Sequence, residues 1–451
     1  MKDVSLFKIG LYVLLGIGIV FAVLIFSGKI TVGKPAAAAI SGNVVIWGTL
    51  PQDPMGLMTD VVHQTYKNVN VEYVQQDPAT FQANLVNALA SGGGPDMILL
   101  TPDDVISNHD RILEIPYTSL PQATFQSTFI DQGSQFLTDT GVLAFPLFVD
   151  PMVMYYNKDM LSSAFTVSPP ATWDDVVALN KKITQVDDAG KLSTETVALG
   201  SFDNITHAKD ILSNLIFQGG NSIVAWDPTV KAYVSQFGNA SASGDSAVAD
   251  ALQFYTDFSN PTDAAHYSWN ATLPNDETQF VAGNLAIYFG YASELASIRQ
   301  QNPNLNFGVA MMPQKKGTTL KTTYGKMTGL AIMKVSKNIQ LDVIVAQTMT
   351  SDSAISQYLS LDPTVEPARR DMLANSSADA NQTLFYNSSI ISRSFLDPDP
   401  VQTSALFQKY VNEINVGAAV PASIVAPGNS LLTEILQTIQ KQTSGPAAPG
   451  I

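Results

Sequence analysis

The run LAFPLFVDPMVMYYNKDML at residues 143–161 keeps one acidic side chain, Asp150, inside a nearly continuous apolar stretch. A carboxylate in such a place must meet water, a hydroxyl or another donor, because an unpaired buried charge is costly. Other reactive patterns are missing. His63, His109, His207 and His266 are scattered, with no His-x-x-x-His pair to hold zinc from one helix face. The absence of cysteine excludes disulfides, thiolate metal sites, cysteine nucleophiles and lipid-modified cysteines. No G-x-S-x-G nucleophile elbow occurs. SGGGPD at 91–96 lacks a following Gly-Lys-Ser/Thr and reads as a helix stop rather than a phosphate loop. Two of the 39 Asp and Glu residues could meet as a glycosidase pair, yet no spacing singles out two of them. The expectation is binding without chemistry, with no cofactor and no metal.

Such residues need elements to hold them, and the chain opens on a regular alternation. VVIW at 44–47 reads as a strand. Met58, Val61, Val62 and Tyr66 follow at helical spacing, and VNVEYV at 69–74 alternates as a strand does. Asp77-Pro78 reads as a capped helix start, Phe81, Leu85, Ala88 and Leu89 as its buried face, and DMILL at 96–100 as a third strand. Strand-helix-strand-helix-strand implies a parallel sheet, with ligands beyond the carboxyl ends of its strands. Trp47-Gly48-Thr49 and Thr101-Pro102-Asp103-Asp104 stand at two such ends. Further on, Thr172 and Asp175 form a capping-box pair, and Ile211, Leu212, Leu215 and Ile216 form a helix face closed by Gly219-Gly220. TQFVAGNLAIYFGYASE at 278–294 reads as helix, glycine stop at Gly283, strand and loop. Trp173 belongs to a helix start and Trp226 to a hairpin.

At 451 residues the chain exceeds one ordinary core, so two lobes are expected. Apolar residues make up 45% and charged residues 14%, as in a folded globular protein. A formal net charge of -15 argues against nucleic acid and against docking on anionic lipid. IGLYVLLGIGIVFAVLIF at 9–26 is uncharged and long enough to cross a bilayer as a helix. Residues 1–27 are therefore read as an uncleaved membrane anchor, in preference to a cleaved secretion signal. Residues 28–42 are a linker, and 441–451 a disordered tail.

The run 143–161, followed by PPATWDDV at 169–176, resembles the crossing strand of the extracellular solute-binding proteins of ABC importers, in the sugar-binding family that includes maltose-binding protein. VVIWGTLP, ALASGGGPDMILL, TQFVAGNLAIYFGY, FGVAMMPQKKG with GKMTGLAIMKVSKN, and EPARRDML agree with that family in the same order. The resemblance spans roughly residues 43–440. It implies a two-lobed α/β fold of the periplasmic-binding-protein type II, with strands crossing between the lobes, preceded here by the transmembrane helix. Residues 43–148 and 275–323 would build lobe one, and 149–274 and 324–440 lobe two. A small solute, most naturally a sugar or oligosaccharide, would be held between them by hinge closure, for delivery to ABC permease subunits of a bacterial membrane. The N-terminal helix would replace the family's lipid anchor. A ligand-sensing receptor subunit and an exported glycoside-acting hydrolase are the alternatives.

The site residues come by resemblance. Asp150 would lie on the crossing strand at the cleft floor, as a ligand contact or a hinge-bonded carboxylate. Asp103 takes the place of a polar contact or of a helix cap. Trp47 and Gly48 end the first strand, where Trp47 contacts ligand or packs in the core. Tyr291 takes the place of the family's stacking aromatic. Asn204 and His207 lie near a contact loop of lobe two, where the maltose-type acidic-proline-aromatic run is missing. Thr328 and Gly329 offer a hydroxyl and backbone groups. Arg369 contacts ligand or holds the hinge. Tyr155 and Tyr156 point to opposite faces and read as packing.

Overall fold

The computed structural model describes residues 40–443, apart from 189, 241–245 and 375–378. The expected anchor at 1–27 lies outside the described residues, as does most of the expected tail. Among the described residues, no helix is long and apolar enough to cross a membrane. In chain order, the elements that place the candidate residues are β1 (Ser41–Gly48), α1 (Gln52–Thr65), β2 (Asn68–Gln75), α2 (Phe81–Ala90), β3 (Met97–Leu100), β4 (Phe145–Asn157), α3 (Trp173–Ile183), α4 (Ala208–Gln218), β5 (Leu285–Tyr291), β6 (Phe307–Met311) and β7 (Thr323–Ile332).

These elements form two compact units. Unit one is drawn from the described parts of Met1–Thr101, Asn108–Val149 and Met327–Asn375. Unit two is drawn from Pro102–Ser107, Asp150–Lys326 and Ser376–Ile451. Strands β4 and β7 each begin in one unit and end in the other.

In unit one, β1 pairs in parallel with β2 on one side and with β3 on the other. The crossover helices follow from the spacing of apolar side chains. Helix α1 buries Met55, Met58 and Val62, and α2 buries Phe81 and Leu85. All four residues of β3 are buried, as in a strand covered on both faces. The end of β7 completes this part of the sheet, with Gly329 opposite Leu100 and Ile332 opposite Met97, antiparallel. Strand β1 starts at Ser41, inside the segment read as linker. Asp77 does not cap a helix: its Oδ1 accepts from the Ala79 amide at 2.7 Å in a turn, and α2 begins only at Phe81.

In unit two, the second half of β4 is the central strand. It pairs antiparallel with β5 (Tyr156 opposite Ile287, Met152 opposite Tyr291) and with β6 (Asn157 opposite Phe307, Val153 opposite Met311). Tyr155 is fully buried, while Tyr156 faces the other way. A Cβ on Gly308 would fall 2.5 Å from the Tyr156 ring, so the two strands meet closely only because that residue is glycine. Helix α3 carries the expected capping box: the Thr172 hydroxyl accepts from the Asp175 amide, and Asp175 accepts from the Thr172 amide at 2.9 Å. Trp173 donates its indole N–H to Gln218 at the end of α4, and the Gln218 amide donates to the carbonyls of Pro313 and Thr322 at 2.9 and 3.1 Å. Trp226 sits on the hairpin Val224–Asp227 with Ala232–Ser235, edge-on to Tyr233.

Two expectations about organisation need correction. Residues 275–323 belong to unit two, not with residues 43–148, because β5 and β6 are tied to residues 152–157 by their ladders. Conversely, residues 327–375 belong to unit one, because β7 pairs with β3 there and the helix Ile339–Met349 lies against α1. At the C-terminus, the helix Pro421–Thr443 runs into the segment expected to be disordered from 441.

Candidate functional site

Three of the ten candidate residues converge in unit two, on the side where β4, β5 and α4 meet. Asp150 comes from β4 and is half-buried. Its carboxylate accepts the Ser293 amide at 3.1 Å and the Ser293 hydroxyl at 2.6 Å. Burial nonetheless pushes its pKa up to about 7; the two Ser293 bonds and Lys326 act against that rise, and Glu294 adds to it. Tyr291 ends β5 and is 2% exposed. Its hydroxyl donates to Asp210 Oδ2 at 2.6 Å, and the Lys326 ammonium lies 3.9 Å from its ring centroid. His207 meets the Tyr291 ring edge-on, with centroids 4.9 Å apart, and bonds through Nε2 to Glu294 Oε1 at 2.7 Å. Glu294 also accepts from the Tyr288 hydroxyl at 2.7 Å. Burial raises the Glu294 pKa, but His207 and Tyr288 outweigh it, so the group ends below its ordinary value.

Asp103 belongs to the same electrostatic neighbourhood. It stands in the first turn of the short helix Pro102–Asn108. Burial pushes its pKa up to about 7, Lys209 acts against the rise, and Asp397, Asp104 and Asp210 add to it. Lys209 itself is paired with the fully buried Asp397 at 2.8 Å. Burial alone would lower its pKa, but these carboxylates outweigh burial and raise it.

The remaining candidates are occupied elsewhere. Asn204 clasps a loop of unit two: its amide donates to the carbonyls of Asn270 and Leu273, and its oxygen accepts the Trp269 indole N–H. Within unit one, Trp47 is half-buried in β1 between Val74 and Ile98. A Cβ on Gly48 would fall 2.6 Å from Leu99, and one on Gly329 would fall 2.6 Å from the Phe136 ring, so both glycines serve close packing. Thr328 is half-buried on β7. Arg369 holds unit-one structure: Nε donates to Asp371 at 2.9 Å and NH1 to the Thr350 carbonyl at 3.1 Å, while its backbone bridges to Phe129.

The sequence reading missed Lys209, Asp210, Glu294, Lys326 and Asp397. Asp210 lies three residues after His207 on α4, and Glu294 three after Tyr291, so local spacing could have nominated those two. No local signal marks Asp397. One further group could offer metal ligands, Asp257, Asp263 and His266 in unit two. There Asp263 already accepts the Ala265 amide and His266 Nδ1, which closes a turn. A surface hollow of about 420 Å³ lies beside Lys158, Arg299 and Asn306, and none of the ten candidate residues lines it.

The sequence matches the bacterial extracellular solute-binding protein family over residues 52–354. The chain belongs to that family. Solved structures share its fold. A cyclo/maltodextrin-binding protein complexed with maltotetraose aligns with a TM-score of 0.70 at 14% identity, over 91% of this chain and 100% of that one. The GacH receptor of Streptomyces glaucescens, solved unliganded and with acarbose, gives 0.63 at 15% identity over 88% and 99%. An ABC transporter solute-binding protein of Thermotoga lettingae, bound with alpha-D-tagatose, gives 0.62 at 18% identity over 88% and 100%. The α/β fold expected for this family is therefore the fold of the chain.

Proposed function

We propose that the protein captures a saccharide-type solute outside the cytoplasm and delivers it to an ABC permease without transforming it. The observation that carries this reading is the polar cluster of unit two, in a chain of this family. Carboxylates of graded burial surround an aromatic residue, and each of Asp150, Asp210 and Glu294 accepts hydrogen bonds from hydroxyl, amide or imidazole groups. Carboxylates so placed exchange donors readily with sugar hydroxyls. Asp103, Asp150, His207 and Tyr291 are the residues we assign to the ligand. The apolar run at 9–26 serves as the membrane tether.

The test is native mass spectrometry of the protein as purified, followed by calorimetry with maltotetraose, acarbose and tagatose. A co-purifying saccharide mass, or a saturable heat that Asp150→Ala and Tyr291→Ala abolish, supports the reading. Release of reducing sugar from the same oligosaccharides would replace it with a hydrolase. Mass spectrometry of the mature N-terminus checks the tether, since cleavage near residue 39 would remove it.

A further inference from the structure

The ring face of Tyr291 is already covered by a cation. Lys326 Nζ lies 3.9 Å from the ring centroid, close enough for a strong attraction to the ring quadrupole. Lys326 is otherwise exposed, and its ammonium makes no ion pair or hydrogen bond among the described residues. Its charge acts on Asp150. The far end of the ring is fixed by Asp210, and the edge by His207. A neutral sugar ring cannot stack on this face while the ammonium is there.

We infer that Lys326 is a displaceable stand-in for the ligand, and that the solute carries a protonated amino group, as an amino-sugar oligomer does, seated on the Tyr291 face beside Asp150. This deepens the function proposed above and rests on it. Three features point the same way. The ring already holds an ammonium, so the geometry that an alkylammonium needs is built. The carboxylates next to it, Asp150 and Asp210, accept hydrogen bonds only from neutral donors, Ser293 and Tyr291, so an ammonium placed there meets acceptors that no ion pair already occupies. Two further carboxylates nearby, Glu294 and Asp397, already hold the basic groups His207 and Lys209. A neutral saccharide displacing Lys326 would forfeit the cation–ring contact, whereas an amine replaces like with like. Lys326 thereby sets specificity: its flexible stem is anchored on β7 and its head group competes for the ligand's place.

The experiment compares glucosamine tetramer with maltotetraose by calorimetry at low salt, using the full-length chain in detergent and its Lys326→Met and Lys326→Gln variants. The expected result is that wild type prefers the glucosamine tetramer and that both variants bind it about tenfold more tightly. Maltotetraose affinity should change by less than about threefold. Unchanged or weaker binding of the glucosamine tetramer in either folded variant overturns the inference. Maltotetraose binding by wild type with no glucosamine binding overturns it while leaving the proposed function standing. Binding of neither oligomer by wild type overturns the inference, and overturns the proposed function too if acarbose and tagatose also give no heat. If Lys326→Met fails to fold, Lys326→Gln keeps the comparison, since it removes the charge but keeps a polar head group.

Discussion

Asp150 shows how one side chain answers to two demands at once. Its strand is apolar because it is covered, and the carboxylate survives there because Ser293 supplies two donors from the turn after β5. Those donors do not fully offset burial, and the pKa stands at about 7 against an ordinary carboxylate near 4. A carboxyl that holds its proton more tightly when folded stabilises the protein fully at pH below about 4, and that contribution is lost as pH rises toward 7. Asp150→Asn keeps the shape and removes the titration. The melting temperature of the variant should therefore gain on wild type steadily between pH 4 and 7.5, with no further gain above pH 8. A difference that stays flat across a pH series of melting curves would mean that the carboxyl titrates normally. Asp150 itself was visible in the sequence as the odd residue in an apolar run. Its partner was not, because Ser293 is a common residue type 143 positions away.

At the scale of elements, α3 and α4 separate what is local from what is not. The Thr172–Asp175 cap, the start of α3 at Trp173 and the glycine stop after α4 were legible, since each depends on a few neighbouring residues. So were β1, β2 and β3, from alternation and apolar runs. The role of Gln218 was not legible, because it joins the Trp173 indole to carbonyls of Pro313 and Thr322 far along the chain. The same contrast gives an energetic ordering. Thr172→Ala removes one exposed cap and should cost about 1 kcal/mol. Gln218→Leu leaves the buried Trp173 indole N–H and the Pro313 carbonyl unpaired, while Thr322 keeps its bond from Gln314, and should cost about 3 kcal/mol. Urea denaturation of the two variants reads the order directly, and equal costs would show that the Gln218 junction relaxes around its loss. Gly308 carries a similar constraint, hidden from the sequence because the ring it admits belongs to another strand.

For the whole molecule, the sequence reading found the family and the α/β class but misassigned residues 275–323 and 327–375 to the wrong units. Strand existence is local, whereas the partner of a strand is decided by ladders between residues far apart in the chain, such as Phe307 with Asn157 and Gly329 with Leu100. The division of unit one among three chain segments has a measurable result. A fragment of residues 40–149 lacks the end of β7 and the helices Ile339–Met349 and Asp352–Leu361, which lie against β3 and α1. It should show no cooperative thermal transition by calorimetry, because the β3 edge and the α1 surface are left bare. A sharp transition near that of the full chain would mean that the later segment adds little to this unit.

The pairing of Gly329 with Leu100 also sets a timetable for biosynthesis. Roughly 230 residues separate the two strands, which at ordinary elongation speeds is on the order of 10–50 s of translation. During that wait the apolar rim of Met97–Leu100 has no neighbour on one side. Until the late strand arrives, that edge of the nascent polypeptide stays open, and the chain's final form can only be reached after most of it has been synthesised.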